Sequence, residues 1–161
     1  MDRKRTQEAL AKLVGGVYIL TVDDGSERSG MPVSWVTQVS AEPPLIAVAV
    51  SPRRYSHDMI DGAGDFALNL LAADQGKVVA QFKLSGPDKE AKFRGLATEK
   101  AEAIGAPLLA DALVSLECRV HTAYTPGDHT LFIAEIVAAK IRREGAALDV
   151  ERYGKAYGGG E

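Results

Sequence analysis

Residues 114–137, VSLECRVHTAYTPGDHTLFIAEIV, decide the fold. From Val114 to His121, apolar and polar side chains alternate, which is the period of a β-strand with one buried face and one polar face. The segment TPGDHT (125–130) then predicts a loop, and LFIAEIV (131–137) predicts a second strand. The stretch therefore predicts two consecutive strands joined by a short loop.

Further strands are predicted on the amino-terminal side of this pair. The residues after the Pro43–Pro44 break, LIAVAV (45–50), are apolar on both faces and predict a buried strand. Three more β-rich segments are 17–22, which runs into an Asp24–Gly25 turn, 31–40, which alternates loosely, and 66–71. Several short strands with few helices predict a mainly β fold, a closed or partly closed β-barrel.

Two helices are predicted outside these strands. Residues 1–15 predict a short amphipathic helix, capped by Thr6 and ended by Gly15–Gly16. The apolar face of this helix carries Ala9, Leu10, Leu13 and Val14. Asp74 is predicted to cap a second helix, which carries Val78, Val79 and Phe82. The stretch 87–102 is polar and charged, and the tail 158–161 is predicted to fray.

The composition predicts one globular domain over residues 1–161. A length of 161 residues suits a single domain, and a charged fraction of 25% argues against disorder. A net charge of −3 supplies no basic field for nucleic acid. A single cysteine excludes an intrachain disulfide and a four-thiolate zinc site, and no metal site is predicted. No apolar run has the length of a signal peptide or a membrane span, so a cytoplasmic location is expected.

The stretch SPRRYSH (51–57) is the first of two candidate functional clusters. It follows the strand at 45–50 and gathers two guanidinium groups, two hydroxyls and an imidazole around a turn. Arginine and hydroxyl groups donate hydrogen bonds to phosphate, and a helix that begins here would add its dipole. The spacing alone fits either an anion site or a solvated turn.

The second cluster is Gly127–Asp128–His129, on the loop between the two late strands. A histidine at such a junction fits either a hydrogen bond within the turn or a contact with a cofactor. Cys118 alternates with core residues, so the sequence predicts a small buried hydrophobe there rather than a reactive thiol. The motifs of P-loop, zinc-protease and serine-hydrolase sites do not occur.

An ordered set of short motifs resembles the flavin reductase-like, FMN-binding split-barrel family. The motifs are SWV (34–36), a serine before Pro-Pro, RYSH (54–57), DFALNLL (65–71), KF (92–93), LECRV (116–120), GDHTLFIAEI (127–136) and a late Tyr-Gly. They run from Gly16 to about Tyr157. Each motif alone is weak, but their order identifies the family. The resemblance implies a Greek-key split barrel and a homodimer with flavin near the subunit interface.

The resemblance also implies a role for each matching residue. Val33, Ser34, Trp35 and Val36 would line the isoalloxazine and ribityl side of FMN. Ser51, Arg54, Ser56 and His57 would form the phosphate end, with Lys92 as a further anion contact. His129 would lie near the flavin ring where a nicotinamide stacks, and is the predicted catalytic residue. Tyr153 or Tyr157 would close the pocket.

The function implied is an NAD(P)H-dependent flavin reductase that uses FMN, with FAD possible, and NADH or NADPH as co-substrate. Flavin performs the hydride transfer, and the protein supplies orientation and electrostatics. Two alternatives are a flavoredoxin-like electron carrier with bound FMN and little NAD(P)H activity, and a pyridoxamine-phosphate-oxidase-like split barrel, whose landmarks are not those seen here. A monooxygenase or redox protein is a possible partner.

Overall fold

The computed structural model describes residues 2–154, which form a seven-stranded antiparallel sheet, a two-stranded sheet and short helices. The strands are β1 Tyr18–Asp23, β2 Arg28–Val33, β3 Val36–Ser40, β4 Leu45–Val50, β5 Asp65–Leu70, β6 Thr98–Glu99, β7 Leu108–Leu109, β8 Val114–Tyr124 and β9 Thr130–Ile141. The large sheet has the order β2-β1-β5-β8-β9-β4-β3, and β6 pairs with β7. The prediction of a mainly β fold is confirmed.

The large sheet rolls into a split barrel because its two edge strands are neighbours in the chain. β2 and β3 lie at opposite edges of the sheet, yet Ser34 and Trp35 are all that separates them. So short a link forces the two edges together without pairing them. The predicted single strand at 31–40 is therefore wrong, because the chain breaks at Ser34–Trp35 and changes edge there.

The late hairpin is the pair β8 and β9, as predicted, but one detail of its polar face differs. Arg119 and His121 are exposed, whereas Ser115 and Glu117 are buried. The Glu117 carboxylate accepts hydrogen bonds from the backbone amides of Glu102 and Ala103, at 3.0 and 2.7 Å. The segment that precedes β7 thus covers this part of the sheet, and the carboxylate satisfies amides that would otherwise be unpaired.

The helices are shorter than predicted. They are α1 Arg3–Leu10, α2 Tyr55–Ala63, α3 Gly76–Phe82 and α4 Val150–Tyr153, with a 3-10 helix at Lys89–Phe93. Among the described residues, no helix is long and apolar enough to cross a membrane. The predicted tail at 158–161 lies outside the described residues.

Both predicted helix caps are wrong by a few residues. Asp2 caps α1, since its side chain accepts from the amides at positions 4 and 5, while Thr6 lies inside the helix. Leu13 and Val14 follow the end of α1 and are 71% and 94% exposed, so the predicted apolar face is not buried. Gln75 takes the cap position of α3 instead of Asp74, without a side-chain capping bond.

Among the described residues, three apolar clusters form the core, and the smallest packs Ala67 of β5 against Ala101, Ala106 and Leu108. The barrel interior is filled by inward residues of the large sheet together with Met59 and Ile60 of α2. A second cluster lies under α3 and includes Phe82 and Phe93, whose rings meet edge to face at 5.2 Å. Cys118 is buried in the barrel interior, and burial raises the pKa of its thiol to about 12, which leaves it protonated and inert.

Candidate functional site

The predicted basic turn lies at the carboxyl end of β4 and leads directly into α2. The amide of Arg54 donates to the Ser51 carbonyl at 3.0 Å, and the amide of Arg53 donates to the Ser51 hydroxyl at 3.3 Å. Arg54 occupies the cap position of α2 without a side-chain capping bond. The first amides of α2 therefore lie beside two exposed guanidinium groups, which makes this turn a positively polarised end of the helix.

Two of the predicted site residues turn their side chains inward. Ser56 and Val33 are each 2% exposed, and Val33 belongs to the barrel core. Only the backbone of either residue can face a ligand in this conformation. Val36 is half-buried and packs on the barrel core, and Ser34 is half-buried too, which leaves Trp35 as the exposed residue of the SWV motif.

Lys92 lies near the basic turn, although it comes from a different segment. Its ammonium donates to the Gly30 carbonyl at 2.7 Å. Burial, and then the like charges of Lys89 and Arg54, lower the pKa of Lys92 to about 8. Cations from the 3-10 helix and from the basic turn thus lie close together, an arrangement that an anion would stabilise.

The 3-10 helix that carries Lys92 is tied to the β1–β2 hairpin and to the basic turn. Arg28 forms a two-bond ion pair with Glu90, with both N–O distances at 2.8 Å. The Tyr55 hydroxyl bonds to Glu27, and the Lys89 ammonium lies 4.1 Å from the centre of the Tyr55 ring. These contacts fix the position of Lys92 relative to α2.

Trp35 and His129 form an aromatic pair at the same end of the barrel. Their ring centres are 4.7 Å apart with an interplanar angle of 45°. Trp35 is 48% exposed, and its carbonyl accepts from the amide of Ala49 at 3.0 Å. Nδ1 of His129 lies 2.7 Å from Oδ1 of Asp128, and this contact lowers the pKa of the Asp128 carboxyl.

The basic turn and the Trp35–His129 pair are adjacent because of strand pairing. Val50, the last residue of β4, lies opposite Thr130, the first residue of β9. The turn begins directly after Val50, and His129 directly precedes Thr130. A single strand register therefore places the predicted phosphate end beside the predicted nicotinamide end.

One of the two predicted tyrosines lies away from the basic turn and the Trp35–His129 pair. Tyr153 packs in the second apolar cluster, where the Lys83 ammonium lies 4.8 Å from the centre of its ring. It also lies against Gly76, at the start of α3. Tyr153 thus serves the core beneath α3, and the structure does not bring it to the Trp35–His129 pair. Tyr157 lies outside the described residues.

Two contributors were missed by sequence reasoning. Thr130 bonds to His57, and Lys89 adds to the charge around Lys92. Thr130 lies within the GDHTLFIAEI motif, and Asp128 of the predicted cluster bonds to His129, a role that the sequence did not assign to it. The position of Lys89 depends on how the 3-10 helix folds back. No hydrophobic periodicity in the sequence predicts this.

The donor set fits a phosphorylated flavin. A phosphate group is bound by charge-assisted hydrogen bonds from lysine, arginine and helix-terminal amides, all of which occur around the basic turn. A flat heteroaromatic ring is bound by stacking on exposed aromatic side chains, and Trp35 offers one. Ser51, Arg54 and Lys92 would hold the phosphate, and Trp35 and His129 would contact the ring.

A split barrel with clustered cations and an aromatic pair at one end fits a flavin-binding class of protein. The chain belongs to the flavin reductase like domain family, whose sequence profile matches residues 10–157. The resemblance seen in the ordered motifs is therefore confirmed.

Three similar proteins carry names that bear on activity. The chain is 34% identical over 139 residues to the NADH-dependent FAD reductase of Streptomyces globisporus, covering 86% of this chain and 76% of that protein. It is 34% identical over 142 residues to the reductase component of 4-hydroxyphenylacetate 3-monooxygenase of Thermus thermophilus, covering 88% and 87%. The crystal structure of BorF, the flavin reductase component of a bacterial two-component tryptophan halogenase, superimposes with a TM-score of 0.82 at 30% identity, covering 92% of each chain. The predicted class, an NAD(P)H-dependent flavin reductase, is confirmed.

Proposed function

We propose that this reductase binds FMN with its phosphate at the basic turn and its ring against Trp35 and His129. The observation that supports the proposal is the Val50–Thr130 pairing, because the basic turn follows Val50 and His129 precedes Thr130. FMN ends in one phosphate and so matches one compact anion site. One relative is named as an FAD reductase, and FAD would use the same phosphate site.

Each residue of the site has a defined task in this mechanism. A bound flavin supplies the ring that accepts hydride from the nicotinamide. Arg54, Lys92 and the first amides of α2 neutralise the phosphate, which anchors one end of the flavin. Trp35 restricts the plane of the ring, and His129 orients the nicotinamide above it, so that the reaction depends on positioning rather than on proton transfer.

We also propose a homodimer formed through the outer face of β4 and β9. Their inward residues fill the barrel, yet the outward residues Leu45, Ala49, Leu131 and Ile133 are also apolar and remain half-exposed. Ala49 lies opposite Leu131 and Ala47 lies opposite Ile133, so these side chains form one strip, which ends where Leu45 lies opposite Glu135. An apolar strip on the outer face of a sheet favours a protein–protein interface. The strip adjoins Trp35 through the Ala49 amide, which would place the flavin near the subunit contact.

The acceptor of the reduced flavin is proposed to be a partner monooxygenase or halogenase. Two of the relatives are named as reductase components of such two-component systems. Transfer of flavin between components requires release, and a compact phosphate site with a half-exposed ring contact is compatible with release.

Anaerobic titration with NADH and with NADPH tests the proposed function. The protein is loaded with FMN, and the flavin absorbance near 450 nm is followed in the absence of oxygen. We expect complete bleaching by one of the two donors on the timescale of mixing. Failure to bind FMN at micromolar protein would contradict the proposed ligand. Binding without reduction by either donor would instead favour an electron carrier.

A further inference from the structure

Both ring nitrogens of His57 are bonded to neighbouring side chains. Nδ1 lies 2.9 Å from Oδ1 of Asp58, and Nε2 lies 2.7 Å from Oγ1 of Thr130. An ionised carboxylate only accepts, so Nδ1 carries a proton and donates. In the neutral ring Nε2 accepts from the Thr130 hydroxyl, and in the imidazolium it donates to that hydroxyl. Neither charge state leaves a free N–H for a phosphate.

The ring of His57 is also fixed by packing. Its side chain is 15% exposed, and its ring centre lies 5.5 Å from that of Phe132. Phe132 is 1% exposed and belongs to the barrel core, so it cannot move to let the ring rotate. A ring held at both nitrogens and against a core phenylalanine has one orientation.

The bond from His57 to Thr130 closes a circuit of contacts around the site. The circuit runs from Val50 through the basic turn to α2, then through His57 to Thr130, which pairs with Val50 again. His129 is the residue next to Thr130, and its ring lies against Trp35. The side-chain bond therefore links the start of α2, where the phosphate would bind, to the residue that would face the nicotinamide.

We propose that His57 is a positioning residue, which holds the start of β9 and therefore His129 in place through its bond to Thr130. It is not a ligand of the flavin phosphate. The role rests on the proposed function, because it concerns the placement of His129 beside a bound flavin. Removing the bond would leave the phosphate contacts intact and loosen the nicotinamide end.

Substitutions at both ends of the bond test this role. T130V removes the hydroxyl with little change in shape, and T130S, the matched control, keeps it. H57L removes both bonds of the ring, and H57Q retains a polar group near the position of Nε2 that can still bond to Thr130. Three quantities are measured: the emission of Trp35 without flavin, the ratio of FMN to riboflavin affinity, and the rate of anaerobic reduction by the pyridine nucleotide.

The positioning role predicts that T130V and H57L behave alike. Both shift the emission of Trp35, the single tryptophan of the chain, in the flavin-free protein. Both slow flavin reduction by about tenfold, while the FMN-to-riboflavin affinity ratio stays within about twofold of wild type. T130S and H57Q stay close to wild type. The double variant is no slower than the slower single variant, because both changes remove the same bond.

Other results would overturn the role. A tenfold loss of FMN affinity relative to riboflavin in H57L, with none in T130V, would make His57 a phosphate ligand. Unchanged Trp35 emission and unchanged reduction in T130V would show that the bond does not position His129. If H57L does not fold, T130V against T130S decides alone. If wild type binds no flavin, the proposed function fails, and the flavin-free emission of Trp35 still decides whether the bond positions His129.

Discussion

Lys92 is held where its positive charge is unfavourable in the absence of a ligand. Burial and the nearby charges of Lys89 and Arg54 lower its pKa from 10.5 to about 8. A phosphate would reverse this shift, since a nearby anion favours the protonated amine. A lowered pKa of Lys92 is therefore expected in a phosphate site that has no ligand bound.

The affinity for FMN is expected to fall as the pH rises through about 8. The ligand-free protein loses the Lys92 proton in that range, so binding must then take a proton up. The second ionisation of a phosphate ester lies near pH 6, so the charge of the phosphate group stays nearly constant from about pH 7 to about 9.5. Titrations over this range measure the effect. Lys92→Met should bind more weakly at pH 7 and show a flat profile, and a wild-type profile without slope would remove Lys92 from the phosphate site.

Arg54 is expected to bind the phosphate of the flavin. Arg54→Ala should lose about 1.5–3 kcal/mol of FMN binding, roughly tenfold to a hundredfold in Kd, and little riboflavin binding. Arg53→Ala is the matched control, because Arg53 lies within electrostatic range of Asp128 and is not among the expected phosphate ligands. Isothermal titration with both ligands measures the difference. Equal losses for FMN and riboflavin would place Arg54 outside the phosphate site.

His129 is expected to act on the nicotinamide and not on flavin retention. His129→Ala should keep the fold and most FMN, and should slow hydride transfer by about tenfold to a hundredfold, roughly 1.4–2.7 kcal/mol. His121→Ala is the control, since His121 is exposed on β8. Anaerobic stopped-flow reduction measures the rate. An unchanged rate in the FMN-loaded variant would leave His129 as a turn residue.

At the scale of elements, Asn69 connects the large sheet to the small one. Its amide donates to the Ile19 carbonyl and to the Thr21 hydroxyl, both at 3.1 Å. Its oxygen accepts from the Leu109 amide at 3.0 Å and from the Ser115 hydroxyl at 2.8 Å. All of these bonds are buried, and together they fix β7 over β5.

Asn69→Ala is expected to destabilise the protein by about 3 kcal/mol, because several buried polar groups lose their partner at once. Urea denaturation followed by circular dichroism measures the change in the free energy of unfolding. Gln38→Ala is the control, since the Gln38 amide makes an exposed bond to Ser40, and it should change stability by less than about 0.5 kcal/mol. A loss in Asn69→Ala no larger than in this control would show that the small sheet is held by other contacts.

The strands were predictable from sequence where a local pattern marks them. LIAVAV became β4 because an apolar run after Pro43–Pro44 predicts a buried strand, and the alternation from Val114 onward became β8. The break at Ser34–Trp35 has no local signal, since it depends on two distant sheet edges meeting. The burial of Ser115 and Glu117 depends on a covering segment that local alternation does not reveal.

The candidate site was predictable where a sequence motif lies next to the helix or strand that positions it. The basic turn lies directly before α2, as SPRRYSH indicated, and His129 lies on the expected loop. His57 and Tyr153 were assigned by resemblance alone. In the structure His57 bonds to Thr130 and Tyr153 packs in the core beneath α3, and no motif in the sequence reveals these contacts.

At the scale of the whole molecule, the outer apolar strip of β4 and β9 is expected to form the dimer. Leu131→Glu should place a charge in that interface and yield a monomer with unchanged circular dichroism. Leu84→Glu is the control, because Leu84 is 50% exposed and lies outside the strip. Sedimentation velocity at micromolar concentration measures the mass. A wild-type monomer, or a dimer that survives Leu131→Glu, would exclude this interface.

Residues 15–17 and 148–150, near the two ends of the described chain, lie side by side. The Val17 amide donates to the Leu148 carbonyl at 3.1 Å, and the Val150 amide donates to the Gly15 carbonyl at 3.0 Å. A short flexible joint between these segments would make the polypeptide circular without displacing a strand. New ends could then be opened at Gly25, an exposed turn residue where an added Cβ would meet no atom within 4 Å. The barrel is therefore expected to tolerate circular permutation at this turn.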